Sequence, residues 1–186
     1  MMKRYNLLIL ILSTALFFSA CNSGDQSSGT SQGAETEFKA NHGQAGVSDD
    51  ISEKNILQVA LGSSDHTTLV AAVQAAQLEN VLVNAGPLTV FAPNNAAFEK
   101  LPAGTVDNLL KPENKSKLAN IITSHASPGT FKDDLLKDGT QIYLATGQYV
   151  NVEVKGGDTY VNGAKILGTV DASNGVVHVI DQVFLF

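Results

Sequence analysis

Apolar residues follow three regimes along this chain. At the start they form a near-continuous block over 7–12 and 15–18, behind Lys3 and Arg4 and ahead of the small pair Ser19-Ala20. Between 22 and about 50 they thin out into Gly, Ser, Gln, Asn and Thr, with Phe38 as the segment's aromatic. From 51 onward they become periodic. An apolar helix or turn begins over 55–60, and Gly62, Ser63, Ser64 and Asp65 offer a stop and N-caps. Over 67–83, Leu69, Val73, Ala76 and Val81 fall near helical spacing, with strong helix formers between them. That predicts one helix, ended by Asn84, Gly86 and Pro87. A short apolar strand follows at 88–92. Asn94 then caps a helix carrying Ala96, Ala97 and Phe98, because its side-chain oxygen can accept from free amides of the first turn. Another short helix starts at 102–105 and closes at Lys111-Pro112. Pro112 suits the first turn of a further helix, in which Leu118, Ile121, Ile122 and His125 recur at i, i+3, i+4 and i+7.

After Gly129 the period changes to that of strands, predicted at 141–144, 149–154, 159–161, 165–167 and 176–186. Gly156-Gly157-Asp158, Asn162-Gly163 and Asn174-Gly175 separate them, and Asn-Gly favours tight hairpin turns through its positive φ angles. Helices come first and strands last, so the order predicts an α+β domain rather than alternating βαβ units.

The N-terminal block has the layout of a secretory signal, being too short for a bilayer span of about 20 apolar residues. Cys21, the only cysteine, follows the small pair directly. The segment FSAC resembles a bacterial lipobox, which implies acylation of the Cys21 thiol after cleavage at 1–20. Residues 21–50 then read as a flexible tether, too poor in apolar surface to offset its ordering entropy. As a random coil it spans roughly 30 Å. Residues 51–186 form the globular domain. Without Lys3 and Arg4, 10 basic residues stand against 18 acidic ones, a net charge of −8. Such an acidic chain argues against nucleic-acid binding, which rests on phosphate neutralisation.

Two segments of the globular part, TVFAPNNAAF at 89–98 and NGVVHVIDQVF at 174–184, resemble the two signature blocks of the fasciclin domain family. YVNGAKI at 160–166 is similar to the strand before the second block. The resemblance covers 51–186 and implies a wedge of helices packed against a β-structure. It also implies a non-enzymatic surface module for adhesion or partner binding, without a cofactor. Within that resemblance, Ser124-His125 stand where many members have Tyr-His, and Thr169-Val170 stand where some animal members have Asp-Ile, with Asp171 displaced. Ser124, His125, Thr169, Val170 and Asp171 are thus the candidate partner-binding region. Their departures from the animal pattern speak against animal-type integrin recognition.

The residues themselves suggest structural work for both blocks. Strand, proline and capped helix occur within ten residues of the first. In the second, apolar residues occupy both alternation phases, as in a strand covered on both faces. His125 and His178 are expected inside, with Asp181 a candidate partner for His178. Adjacent Ser124 and His125 on a helix diverge by about 100° and do not make a nucleophile–base pair. No His pair has i, i+4 spacing, so no metal site is expected. The expected protein is a monomer, lipid-anchored at a bacterial outer membrane. Its partner would be a protein or polysaccharide of the surface or matrix, with a carrier of a small apolar ligand as the alternative.

Overall fold

The structure, a computed structural model, describes residues 53–84 and 86–186. The expected leader, Cys21 and the expected tether lie outside the described residues. Helix α1 (Ile56–Leu61) begins at a reciprocal cap: Asn55 Oδ1 accepts from Gln58 N, and Gln58 Oε1 accepts from Asn55 N. The single helix expected over 67–83 is instead two, α2 (Thr67–Ala76) and α3 (Glu79–Asn84). Gln77 separates them in the left-handed region at φ 58°, its N–H returning to the carbonyls of Val73 and Gln74. Glycine or asparagine usually marks such a cap, so the sequence carried no warning. The break keeps Leu82 in the same apolar cluster as Val73 and Ala76.

Strand β1 (Leu88–Pro93) leads into α4 (Asn95–Glu99), capped as expected by Asn94, which accepts from Ala97 N at 2.8 Å. Next come α5 (Thr105–Leu109), a 3-10 turn at Pro112–Asn114 and α6 (Lys115–Thr123). Six strands complete the chain: β2 (Ala126–Pro128), β3 (Gln141–Tyr143), β4 (Tyr149–Lys155), β5 (Asp158–Val161), β6 (Ala164–Ala172) and β7 (Gly175–Ile180). The sequence did not signal β2. It underestimated β6, which runs on past an irregularity between Ile166 and Gly168. It also overextended the last strand, which stops at Ile180.

The seven strands lie in the order β2-β1-β7-β6-β5-β4-β3. All neighbours are antiparallel except β1 and β7, which run parallel from Leu88↔Gly175 to Pro93↔Ile180. The sheet curls until its two end strands meet. Ala145 N donates to Ala126 O at 2.8 Å, and Ser127 Oγ donates to Tyr143 O at 2.7 Å. Two apolar clusters result. Leu88, Val90 and Ala92 of β1 and Val177 of β7 pack under α1, α2, α3 and α6. Phe91, Ile180, Ile142, Val150, Val152 and Val161 fill the concave side. Strand β7 is therefore covered on both faces, as its pattern predicted.

Asn174 ties these layers together. Its Oδ1 accepts from Ile56 N at 3.0 Å, while Nδ2 donates to Leu82 O and Val83 O at 2.7 and 3.2 Å. Gly175, at φ 151°, lets β7 start against β1: a Cβ there would lie 1.9 Å from Leu88 O.

Candidate functional site

Residues of both signature segments meet in the interior. Phe91 stacks on His178 at 5.6 Å and lies 5.8 Å from Phe184, which in turn stacks on His125 at 4.7 Å and 10°. His125 lies just past the end of α6, where its main-chain carbonyl accepts from Phe91 N at 2.8 Å. Its Nδ1–H donates to Ile121 O at 2.8 Å, and its Nε2 accepts from Phe184 N at 2.8 Å. Burial pushes its pKa down to about 4 against the favourable Ile121 carbonyl.

His178 is equally committed. Nε2–H donates to Phe131 O at 2.7 Å and Nδ1 accepts from the Thr169 hydroxyl at 2.8 Å. Its pKa also lies below the ordinary value through burial. The partner suggested by the sequence, Asp181, is engaged elsewhere. It accepts from Lys165 N at 2.8 Å and from Lys100 Nζ at 3.1 Å.

The five candidate partner-binding positions therefore fall in two places. Ser124 and His125 are buried, at 6 % and 4 % exposure, and the Ser124 hydroxyl donates to Asn120 O at 2.8 Å. Thr169, Val170 and Asp171 lie together on β6, away from that pair in the chain. Thr169 holds His178, Val170 is 42 % exposed, and Asp171 pairs with Lys132 Nζ at 2.9 Å on the surface. The Asp171 carboxylate holds the Lys132 ammonium above its ordinary pKa through that bond. Among the described residues, no three His, Cys, Asp or Glu side chains are grouped to hold a metal ion, and no helix is long and apolar enough to cross a membrane.

Sequence reasoning missed a groove of about 340 Å³ on the outside of this region. Lys117 and Asn120 of α6 form one side, and Thr146 and Gln148 of the β3–β4 turn form another. Phe184 and Phe186 floor and flank it, their rings 6.3 Å apart edge to face. The turn is held by Leu144 N to Gln148 O and Gly147 N to Leu144 O, with Gly147 at φ 89°. The available signals were the polar stripe at 117, 120 and 124 on α6 and the apolar pair Leu185-Phe186, which the predicted strand had absorbed. Two cavities between helices and sheet are far smaller, at about 30 Å³ each.

A curled sheet in which the first and last strands of the chain, β1 and β7, pair in parallel, with short helices on its convex side, is the FAS1 type of α+β fold. The solved structure of a FAS1 domain pair from the insect cell adhesion molecule Fasciclin I matches with a TM-score of 0.63. The match covers 72 % of this chain and 51 % of that one at 17 % identity. The chain belongs to the fasciclin domain family, whose Fasciclin domain model matches residues 64–186. Protein sll1483 of Synechocystis sp. is 50 % identical over 135 residues, covering 72 % of this chain and 74 % of that protein. Transforming growth factor-beta-induced protein ig-h3 of Sus scrofa is 32 % identical over 70 % of this chain, which spans 19 % of that longer protein. Cell surface glycolipoprotein MPB83 of Mycobacterium bovis is 41 % identical over 55 % of this chain and 46 % of its own length.

Proposed function

We propose that this chain is a monomeric, non-enzymatic binding module of a bacterial surface, anchored by a lipid on Cys21 and displayed on the 21–50 tether at the outer membrane. Family membership carries the reading, since relatives include a cell surface glycolipoprotein and a fold neighbour is a cell adhesion molecule. The interior chemistry supports the absence of catalysis. Both ring nitrogens of His125 and of His178 are hydrogen-bonded within the fold, so each could act as a base only by giving up a bond that holds it. Deleting the gene is expected to reduce attachment of cells to surfaces or to one another, with wild-type protein restoring it. Unchanged attachment across several surfaces would defeat the proposal.

The alternative, a carrier of a small apolar ligand between helices and sheet, meets cavities of about 30 Å³ there. Small-molecule sites ordinarily offer roughly 300 Å³ or more. Native mass spectrometry of protein from its own cells is expected to show the unliganded mass, and a retained apolar molecule would revive the carrier.

A further inference from the structure

We infer that the groove between α6, the β3–β4 turn and the chain's last residues binds one sugar unit of a polysaccharide. The inference rests on the surface-binding reading for the source of that sugar, and on the groove alone for its chemistry. At about 340 Å³ it falls within the size range of ligand pockets. Its polar lining is mostly neutral and plays both hydrogen-bonding roles. Asn120 and Gln148 each present an amide donor and an amide acceptor, and Thr146 adds a hydroxyl-bearing side chain to the wall. The Thr146 oxygen is closed off from solvent with no hydrogen-bond partner among the described residues, and turning the side chain about χ1 toward a sugar hydroxyl would supply one. Beside these groups Phe186 stands 59 % exposed, offering a flat apolar face.

A pyranose has this same division, with hydroxyls that donate and accept around its rim and C–H groups on its faces. Other ligand classes fit less well. No Asp or Glu side chain lines the groove, so a metal cation lacks its ligands. One lysine without an arginine fork is a weak phosphate site. A wholly apolar ligand would strand both amides. An extended peptide would need a free strand edge for its backbone, whereas the walls here are side chains of a helix and a turn. Lys117 adds a single cation, which favours a sugar bearing a carboxylate over its neutral counterpart.

The test uses the full-length protein in detergent with a panel of neutral and uronate di- to tetrasaccharides, read by saturation-transfer NMR and titration calorimetry. At least one sugar is expected to bind. Phe186→Ala and Thr146→Val should each weaken it by about tenfold. Lys117→Met should weaken uronates while leaving neutral sugars unchanged. Thr146→Val should melt no lower than wild type, because the hydroxyl it removes is buried without a partner, so a loss of binding is separable from a loss of folding. No binding across the panel at about 10 mM sugar overturns the inference. So does affinity unchanged in both Phe186→Ala and Thr146→Val, or displacement of the sugar by unglycosylated tetrapeptides. These outcomes leave the surface-module reading standing, since that reading falls only when gene deletion leaves attachment intact.

Discussion

A histidine that donates from Nδ1 and accepts at Nε2 can take up a proton only by giving up a bond. For His125 that bond is the one from Phe184 N, in a site with 4 % exposure. Its pKa is near 4 in the fold against about 6.5 when unfolded, so the unfolded chain binds more protons between those values. Stability from this residue is therefore complete above pH 6.5 and is lost as pH falls toward 4, by on the order of 3 kcal/mol. The depressed pKa of His178 acts in the same direction. Urea midpoints at about pH 7 and about pH 4.5 check this. His125→Gln is expected to be less stable at neutral pH yet to lose less between the two, and an equal loss would assign the acid sensitivity elsewhere. Asn174 is the other residue on which much depends. Asn174→Ala leaves the Ile56 amide and the Leu82 carbonyl without the partners it supplied, an expected cost of about 2–4 kcal/mol. Equilibrium denaturation within about 1 kcal/mol of wild type would contradict that accounting.

Among elements, the decisive contact is the parallel pair of β1 and β7. It depends on Gly175, where any side chain would strike Leu88 and a φ of 151° would strain an L-residue. Gly175→Ala is expected to destabilise by about 3 kcal/mol or more, in contrast to about 1 kcal/mol for removing the α4 cap with Asn94→Ala. Denaturation of the two variants side by side tests the ranking. Elements whose signals are local were legible in the sequence. Asn94 caps where expected, Asn162-Gly163 turns between β5 and β6, and both faces of β7 are covered. What depended on tertiary context was not. Gln77 takes a left-handed cap usually given to glycine, and β2 exists because β1 and the end of β3 supply its partners. The sequence showed that the two signature segments matter but not that their rings meet, because Phe91 and Phe184 are brought together only by the long-range pairing. The groove was less legible still. Lys117, Thr146 and Phe186 come from three separate stretches, and nothing local shows that they meet.

For the whole molecule, the proposed anchor makes a simple prediction. Cys21→Ser should release the protein from membranes and abolish labelling by a fatty-acid analogue, while persistent labelling would rule out acylation at that thiol. A domain held at one end and gripping a partner at the other is also under load. The proposed tether enters ahead of α1, whereas the groove adjoins the residues that follow β7. Once the N-terminal helices are drawn out, force enters at the start of β1 and leaves at the end of β7. Because these strands run parallel, that geometry pulls them lengthwise past each other, and the six paired positions from Leu88↔Gly175 to Pro93↔Ile180 resist together. A hairpin pulled open from its ends would instead unzip rung by rung. Single-molecule stretching from the two termini should therefore show one high-force rupture, and a pull across the β6–β7 hairpin a lower one. Such a shear-loaded clamp suits a module whose partner is fixed while its own cell is dragged by flow.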